Sequence, residues 1–214
     1  MDGFTACLIN LWLAPNTHPL RVHMKLVILD RDGVINEDRD DYVKTADEYI
    51  PITGSIDAIV RLNKAGYTVV IATNQAGLAK GKFELEDLES MHEKLTHLVE
   101  DNGGEIGAIF YCPHHPDDNC KCRKPKPGML DAIEAEFNTS VEGCYFIGDS
   151  LRDLQAALKK GCKPALVRTG NGVRTLAQLE VPAFQTEPPL VTPEQIQVFD
   201  NLAAAADFII ANSN

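Results

Sequence analysis

Five segments of this chain gather residue types that can do chemistry. The first is Asp30-Arg31-Asp32-Gly33, which closes the apolar run Lys25 to Asp30. On extended chain, side chains two residues apart share a face, so Asp30 and Asp32 can address one substrate atom. Gly33 allows a sharp exit turn. Two close carboxylates repel unless a cation or a proton separates their roles. A bound Mg²⁺ that keeps Asp30 ionised, beside a substrate-facing Asp32 that moves protons, resolves the conflict. The competing reading is a solvated acidic turn.

The second segment is Thr73-Asn74-Gln75, where a hydroxyl and a backbone N–H can grip one phosphoryl oxygen. The third is Arg123-Lys124-Pro125-Lys126-Pro127, a cationic run in an acidic chain. Lys124 can neutralise a phosphoryl group together with Asp30, and Arg123 can fork onto a substrate oxygen. Lys126 competes with Lys124 for the first of these roles. The fourth is Gly148-Asp149-Ser150-Leu151-Arg152-Asp153. Asp149 supplies a second carboxylate for Mg²⁺, which prefers oxygen ligands. Asp153, one helical turn on, faces the same way and is expected to bond Lys124 or a water. The fifth is Cys112-Pro113-His114 followed by Cys120-Lys121-Cys122, a Cys₃His set for tetrahedral Zn²⁺. Such a set is closed to water, so this zinc is structural and staples the loop (112–122) that presents Arg123 and Lys124. His115 reads as a bystander or as a support for the ligands.

These residues need a frame that brings them together. Short apolar runs at 25–30, 69–73, 106–111, 144–148 and 165–167 alternate with helical patterns at 55–65, 84–101, 127–137, 151–160 and 173–179. Strands alternating with helices imply βαβ units and a buried parallel sheet. In such α/β sheets ligands sit beyond the carboxyl ends of the strands, and the chemistry-bearing residues fall just there. Residues 181–193 are proline-rich and read as a loop, and 206–211 (ADFIIA) read as a last edge strand.

The chain of 214 residues, 44 % of them apolar, suits one domain with a sizeable core. We divide it into an N-terminal extension, 1–23, irregular and outside the core, and a single domain, 24–214. The net charge of −11 argues against nucleic acid as a partner. No run spans a bilayer, so no membrane partner is expected. Cys7, Cys144 and Cys162 are scattered and read as inert thiols. No secretion signal is evident, and the chain is read as cytoplasmic and monomeric.

The motif set resembles the haloacid dehalogenase-like phosphatase superfamily. Its signature is D-x-D-G, a Thr or Ser after the second strand, a Lys, then G-D-x-x-x-D. Here these are Asp30 and Asp32, Thr73, Lys124, and Asp149 and Asp153, within a resemblance running from Met24 to about Gly170. The zinc loop is similar to that of the capless branch, which acts on sugar bisphosphates or histidinol phosphate. Thr73 to Phe83 (TNQAGLAKGKF), Cys112 to Pro116 and Val167 to Gly170 resemble the sugar-bisphosphate members. Lys80 stands where Arg is usual, Ser150 where Lys often follows, and the span from His114 to Cys120 is short.

The resemblance implies a Rossmann-like α/β fold with helices on both faces and no large cap. It implies attack by Asp30 on phosphorus and proton transfer by Asp32. The Mg²⁺ ligands would be the Asp30 and Asp149 carboxylates and the Asp32 backbone carbonyl. Thr73 and Lys124 would stabilise the transferring phosphoryl group. Asp38, Asp41 and Tyr42, with Asn74, Gln75 and Arg123, would form the substrate contacts. The implied reaction is removal of the 7-phosphate of a heptose 1,7-bisphosphate, on the way to lipopolysaccharide or S-layer sugars. Histidinol phosphate is the rival substrate, and an inactive zinc-stabilised binding module is the reading from another class.

Overall fold

The structure, a computed structural model, describes residues 9–10, 24–181 and 191–213. Its strands are β1 (Ile9–Asn10), β2 (Lys25–Leu29), β3 (Tyr67–Asn74), β4 (Ala108–Cys112), β5 (Tyr145–Gly148), β6 (Lys163–Val167) and β7 (Gln197–Phe199). They form one sheet in the order β1-β4-β3-β2-β5-β6-β7. All pairings are parallel except β1 with β4, which is antiparallel. Beyond β1, the extension 1–23 lies outside the described residues, as do Cys7 and most of the proline-rich segment 181–193.

The helices are α1 (Ser55–Lys64), α2 (Ala76–Ala79), α3 (Leu85–Asp101), α4 (Gly128–Phe137), α5 (Leu151–Lys159), α6 (Gly172–Leu179) and α7 (Leu202–Ala211). Alternation along each strand feeds two cores. Val27, Leu29, Val69 and Ile71 face α1, α3 and α7, whereas Leu26, Ile28, Val70 and Ala72 face α4 and α5. Leu154, Leu166 and Leu179 form a smaller cluster under α6. This is the fully covered parallel sheet that near-continuous apolar strands require. Among the described residues no second domain is inserted to act as a cap.

One expected element is corrected. Residues 206–211, read as an edge strand, lie inside helix α7, and the edge strand is β7 just before it. The alanines at 203–206 favour helix. The Asn201 side chain caps it by accepting from the Ala204 N–H at 3.0 Å.

The chain goes from β2 outward to β3 and β4, then returns to β5 and proceeds to β6 and β7. Neighbouring β2 and β5 are therefore the strands at which the connections diverge. The crevice beyond their carboxyl ends is where an open α/β sheet binds ligands. Asp30 follows β2 and Asp149 follows β5.

Candidate active site

Asp30 is anchored by its backbone N–H, which donates to the Ile147 carbonyl of β5 at 2.9 Å. Its Oδ1 accepts from the Arg31 N–H at 2.7 Å, and its Oδ2 meets Lys124 Nζ at 2.8 Å. Lys124 is 3 % exposed although it comes from the loop after β4. Its ammonium also reaches Asp153 Oδ1 at 2.6 Å and donates to the Ala72 carbonyl at 2.8 Å. The Asn74 side chain clamps the Lys124 backbone from both sides, accepting from its N–H at 3.1 Å and donating to its carbonyl at 3.2 Å. Lys126 turns the other way and donates to the Cys120 carbonyl at 2.9 Å and to Asn119. The structure thus brings Lys124, and not Lys126, to Asp30, with the Asn74 amide on the backbone that carries Lys124.

Asp149 and Asp153 complete the group. Asp149 Oδ2 accepts from the Asn171 N–H at 2.7 Å and from its side-chain amide at 3.2 Å. Asp153, fully buried, accepts through Oδ2 from the Ser150 N–H at 3.0 Å and the Ser150 hydroxyl at 2.6 Å. Burial and the neighbouring Asp153 raise the Asp30 carboxyl well above its ordinary range, against the pull of Lys124. Burial and Asp153 likewise raise Asp149 to about 7. Burial would lower the Lys124 ammonium, but Asp153 and Asp30 outweigh it and hold it charged. Oxygens of Asp30, Asp149 and Asp153 lie within 4.8 Å of one another. Excess buried negative charge on hard oxygen donors fits a Mg²⁺ ion.

Asp32, two residues on from Asp30, is partly exposed. Its carboxylate accepts from Arg31 Nε at 3.2 Å and Nη2 at 3.0 Å, from the Asn36 amide at 2.9 Å and from the Gln75 amide at 2.8 Å. Burial pushes this carboxyl up, but Arg31, Asn36 and Gln75 prevail and hold it below the usual range. Gln75 also donates to the Thr73 hydroxyl at 2.9 Å, which links the strand end of β3 to Asp32. Arg31, Asn36 and Asn171 had no role in the sequence reading. Their partners are set by folding, and only the position of Arg31 between two functional aspartates marked it.

The remaining expected contacts are Asp38, Asp41 and Tyr42, between β2 and α1, and Arg123. Asp38 accepts from the Asn171 amide at 2.8 Å. Asp41 is exposed and pairs with Lys44 at 3.0 Å and Lys82 at 2.9 Å, which pull its carboxyl down to about 2. Tyr42 adopts φ 62° and lies under Lys80 Nζ, 5.5 Å from the ring centre. Arg123 is half-buried, with its Nη1 unpaired among the described residues and Arg152 near enough to repel it.

Cys112, His114, Cys120 and Cys122 converge behind Arg123. The sulfurs stand 3.4 to 3.6 Å apart, and His114 Nδ1 lies 3.2 Å from Cys122 and 3.5 Å from Cys112. A tetrahedron of roughly 2.3 Å Zn–S bonds has edges near these lengths. The Cys122 sulfur and burial push the Cys112 thiol far up, so this cluster holds thiolates only around a cation such as Zn²⁺. His115 is outside the cage, accepting instead from the Asp117 N–H at 3.3 Å.

The family model described as "HAD-hyrolase-like" matches residues 121–195. A D-glycero-beta-D-manno-heptose-1,7-bisphosphate 7-phosphatase of Pseudomonas aeruginosa is 54 % identical over 185 residues, covering 86 % of this chain and 97 % of that protein. A protein of the same name from Neisseria meningitidis is 51 % identical over 187 residues, covering 87 % of this chain and 95 % of that one. The crystal structure of the D,D-heptose 1,7-bisphosphate phosphatase of B. bronchiseptica, complexed with magnesium and phosphate, is 48 % identical. It superposes with a TM-score of 0.81 over 89 % of this chain and 100 % of that one. With such identity across nearly the whole of each relative, the chain belongs to the haloacid dehalogenase-like hydrolases, in the branch of the heptose bisphosphate phosphatases.

Proposed function

We propose that this enzyme removes the 7-phosphate of D-glycero-β-D-manno-heptose 1,7-bisphosphate, with Asp30 as nucleophile. The observation that supports it most is the Lys124 ammonium shared by Asp30 and Asp153 beside Asp149. That cluster can hold a phosphoryl group and a cation against one carboxylate. The relatives' names supply the sugar and its anomer.

A Mg²⁺ held by the Asp30 and Asp149 carboxylates and the Asp32 carbonyl would neutralise charge on the phosphoryl oxygens. The chain's own groups do the rest. An Asp30 carboxylate oxygen bonds to phosphorus as the bond to the sugar oxygen breaks. That electron pair ends on the sugar oxygen, which takes a proton from Asp32; because Arg31, Asn36 and Gln75 hold Asp32 ionised in the free enzyme, the incoming phosphate monoester supplies that proton. Asp32, now a carboxylate, takes a proton from water as the water oxygen attacks phosphorus. The Asp30–phosphorus bond breaks, freeing inorganic phosphate and the Asp30 carboxylate. Lys124 and the Thr73 hydroxyl stabilise the transferring charge. The reading includes a cytoplasmic monomer with no nucleic-acid or membrane partner.

Asp30→Asn tests this. It should keep the fold and lose turnover by several decades, because nucleophile and cation ligand go together. A variant retaining a tenth of the wild-type rate, about 1.4 kcal/mol of barrier, would assign the nucleophile elsewhere.

A further inference from the structure

The aspartate pair encloses an arginine that the mechanism above leaves idle. Arg31 is 1 % exposed, so it meets neither solvent nor substrate. Its guanidinium forks onto Asp32, with Nε and Nη2 donating to Oδ1 at 3.2 and 3.0 Å and Nη2 to Oδ2 at 3.0 Å. Its Nη1 lies 3.2 Å from His92 Nε2, on α3. An arginine nitrogen can only donate, so His92 accepts through Nε2 and is neutral, with its proton on Nδ1. Burial and Arg31 push the His92 imidazole down to about 3, in agreement. The Tyr49 ring stands 5.9 Å from the guanidinium carbon, and the Tyr111 ring packs against His92. These groups fix the fork between a helix and a strand end.

We propose that Arg31, backed by His92, is the positioning residue for proton transfer by Asp32. This rests on the reading of Asp32 as the acid that protonates the leaving oxygen. As the phosphorus–oxygen bond breaks, its electron pair takes the Asp32 proton, and negative charge appears on the Asp32 carboxylate. The Arg31 fork, itself buried, is already aimed at that carboxylate and holds both of its oxygens. Esters with basic leaving groups need this proton most. Activated aryl esters need it least, because the phenolate departs unaided. A purely structural ion pair would not discriminate between them.

The test is the rate of the holoenzyme on a series of aryl and alkyl phosphates of rising leaving-group basicity. Arg31→Lys and Arg31→Met are compared with wild type and with Asp32→Asn. The expected losses in kcat/KM for both Arg31 variants grow along the series, reaching about 100-fold or more for alkyl esters. They should parallel the Asp32→Asn losses, with the fall in kcat rather than a rise in KM. His92→Phe should follow the same trend with smaller losses. If Arg31→Met does not fold, Arg31→Lys, which keeps the charge without the fork, answers the same question. Uniform losses in the Arg31 variants beside a steep trend for Asp32→Asn would overturn the role of Arg31 and leave that of Asp32 standing. A flat trend for Asp32→Asn would overturn both.

Discussion

Lys124 and Arg123 are neighbours in the chain with opposite fates. Lys124 has its ammonium taken up by Asp30, Asp153 and the Ala72 carbonyl. Arg123 keeps a buried guanidinium nitrogen unpaired among the described residues, with Arg152 near enough to repel it. The buried Nη1 of Arg123, without a hydrogen-bond partner among the described residues, is suited to a remote anionic group of the substrate. Arg123→Ala should therefore lower kcat/KM for the heptose bisphosphate by about 10- to 100-fold, the value of a charged hydrogen bond. p-Nitrophenyl phosphate, which lacks a second anion, should lose much less, and equal losses in parallel assays would place Arg123 on the transferred phosphate. The sequence marked the cationic run but could not separate Lys124 from Lys126. The choice is made by Asn74, fifty residues upstream, which holds the Lys124 backbone. Arg31 and His92, sixty-one residues apart, were illegible for the same reason. A contact between distant segments leaves no local spacing to read, whereas D-x-D-G and the Cys₃His set are local and were plain.

At the scale of the element, strand ends and turns aim these groups. The five inner strands were legible because a doubly covered parallel sheet demands continuous apolar runs. The run at 206–211 misled because a short apolar stretch has no decisive period, and the helix signal lay upstream in Asn201 and the alanines. The turn after Asp32 depends on Gly33, at φ 78°, where an added Cβ would stand 2.1 Å from Asp149 Oδ2. Gly33→Ala should strain the turn and displace Asp149, so the magnesium concentration for half-maximal activity should rise about tenfold or more. Titration of activity with magnesium checks this, and an unchanged midpoint would detach Asp149 from the cation. The zinc loop gives a separate prediction. Purified protein should carry near one equivalent of zinc by elemental analysis. Cys120→Ser should lower the melting temperature and raise KM, because Arg123 loses its support. Unchanged stability and KM in zinc-free protein would remove the loop from substrate binding.

At the scale of the whole molecule, two buried groups give stability opposite dependences on pH. Burial and Asp153 raise Asp149 from an ordinary value of 3.8 to about 7. Between about pH 4 and 7 the native state holds a proton that the unfolded chain has released, so stability from this group falls by about 1.4 kcal/mol per pH unit as pH rises. Burial and Arg31 lower His92 from 6.5 to about 3. Between about pH 3 and 6.5 the unfolded chain holds the extra proton, so stability from this group rises with pH at the same slope. Asp30, raised by burial and Asp153, adds a falling contribution of the same sign as Asp149, so in the metal-free protein these two aspartates outweigh the rise from His92. Magnesium binds the ionised forms of Asp30 and Asp149 and removes both falling contributions. The melting temperature of the magnesium-saturated protein should then climb over this range, while that of the zinc-loaded, magnesium-free protein falls. The shift produced by magnesium should grow with pH and level off above about pH 7. Scanning calorimetry at stepped pH, with and without magnesium, measures it directly. A magnesium shift of constant size from about pH 4 to 7 would mean that Asp149 carries no extra proton in the metal-free fold.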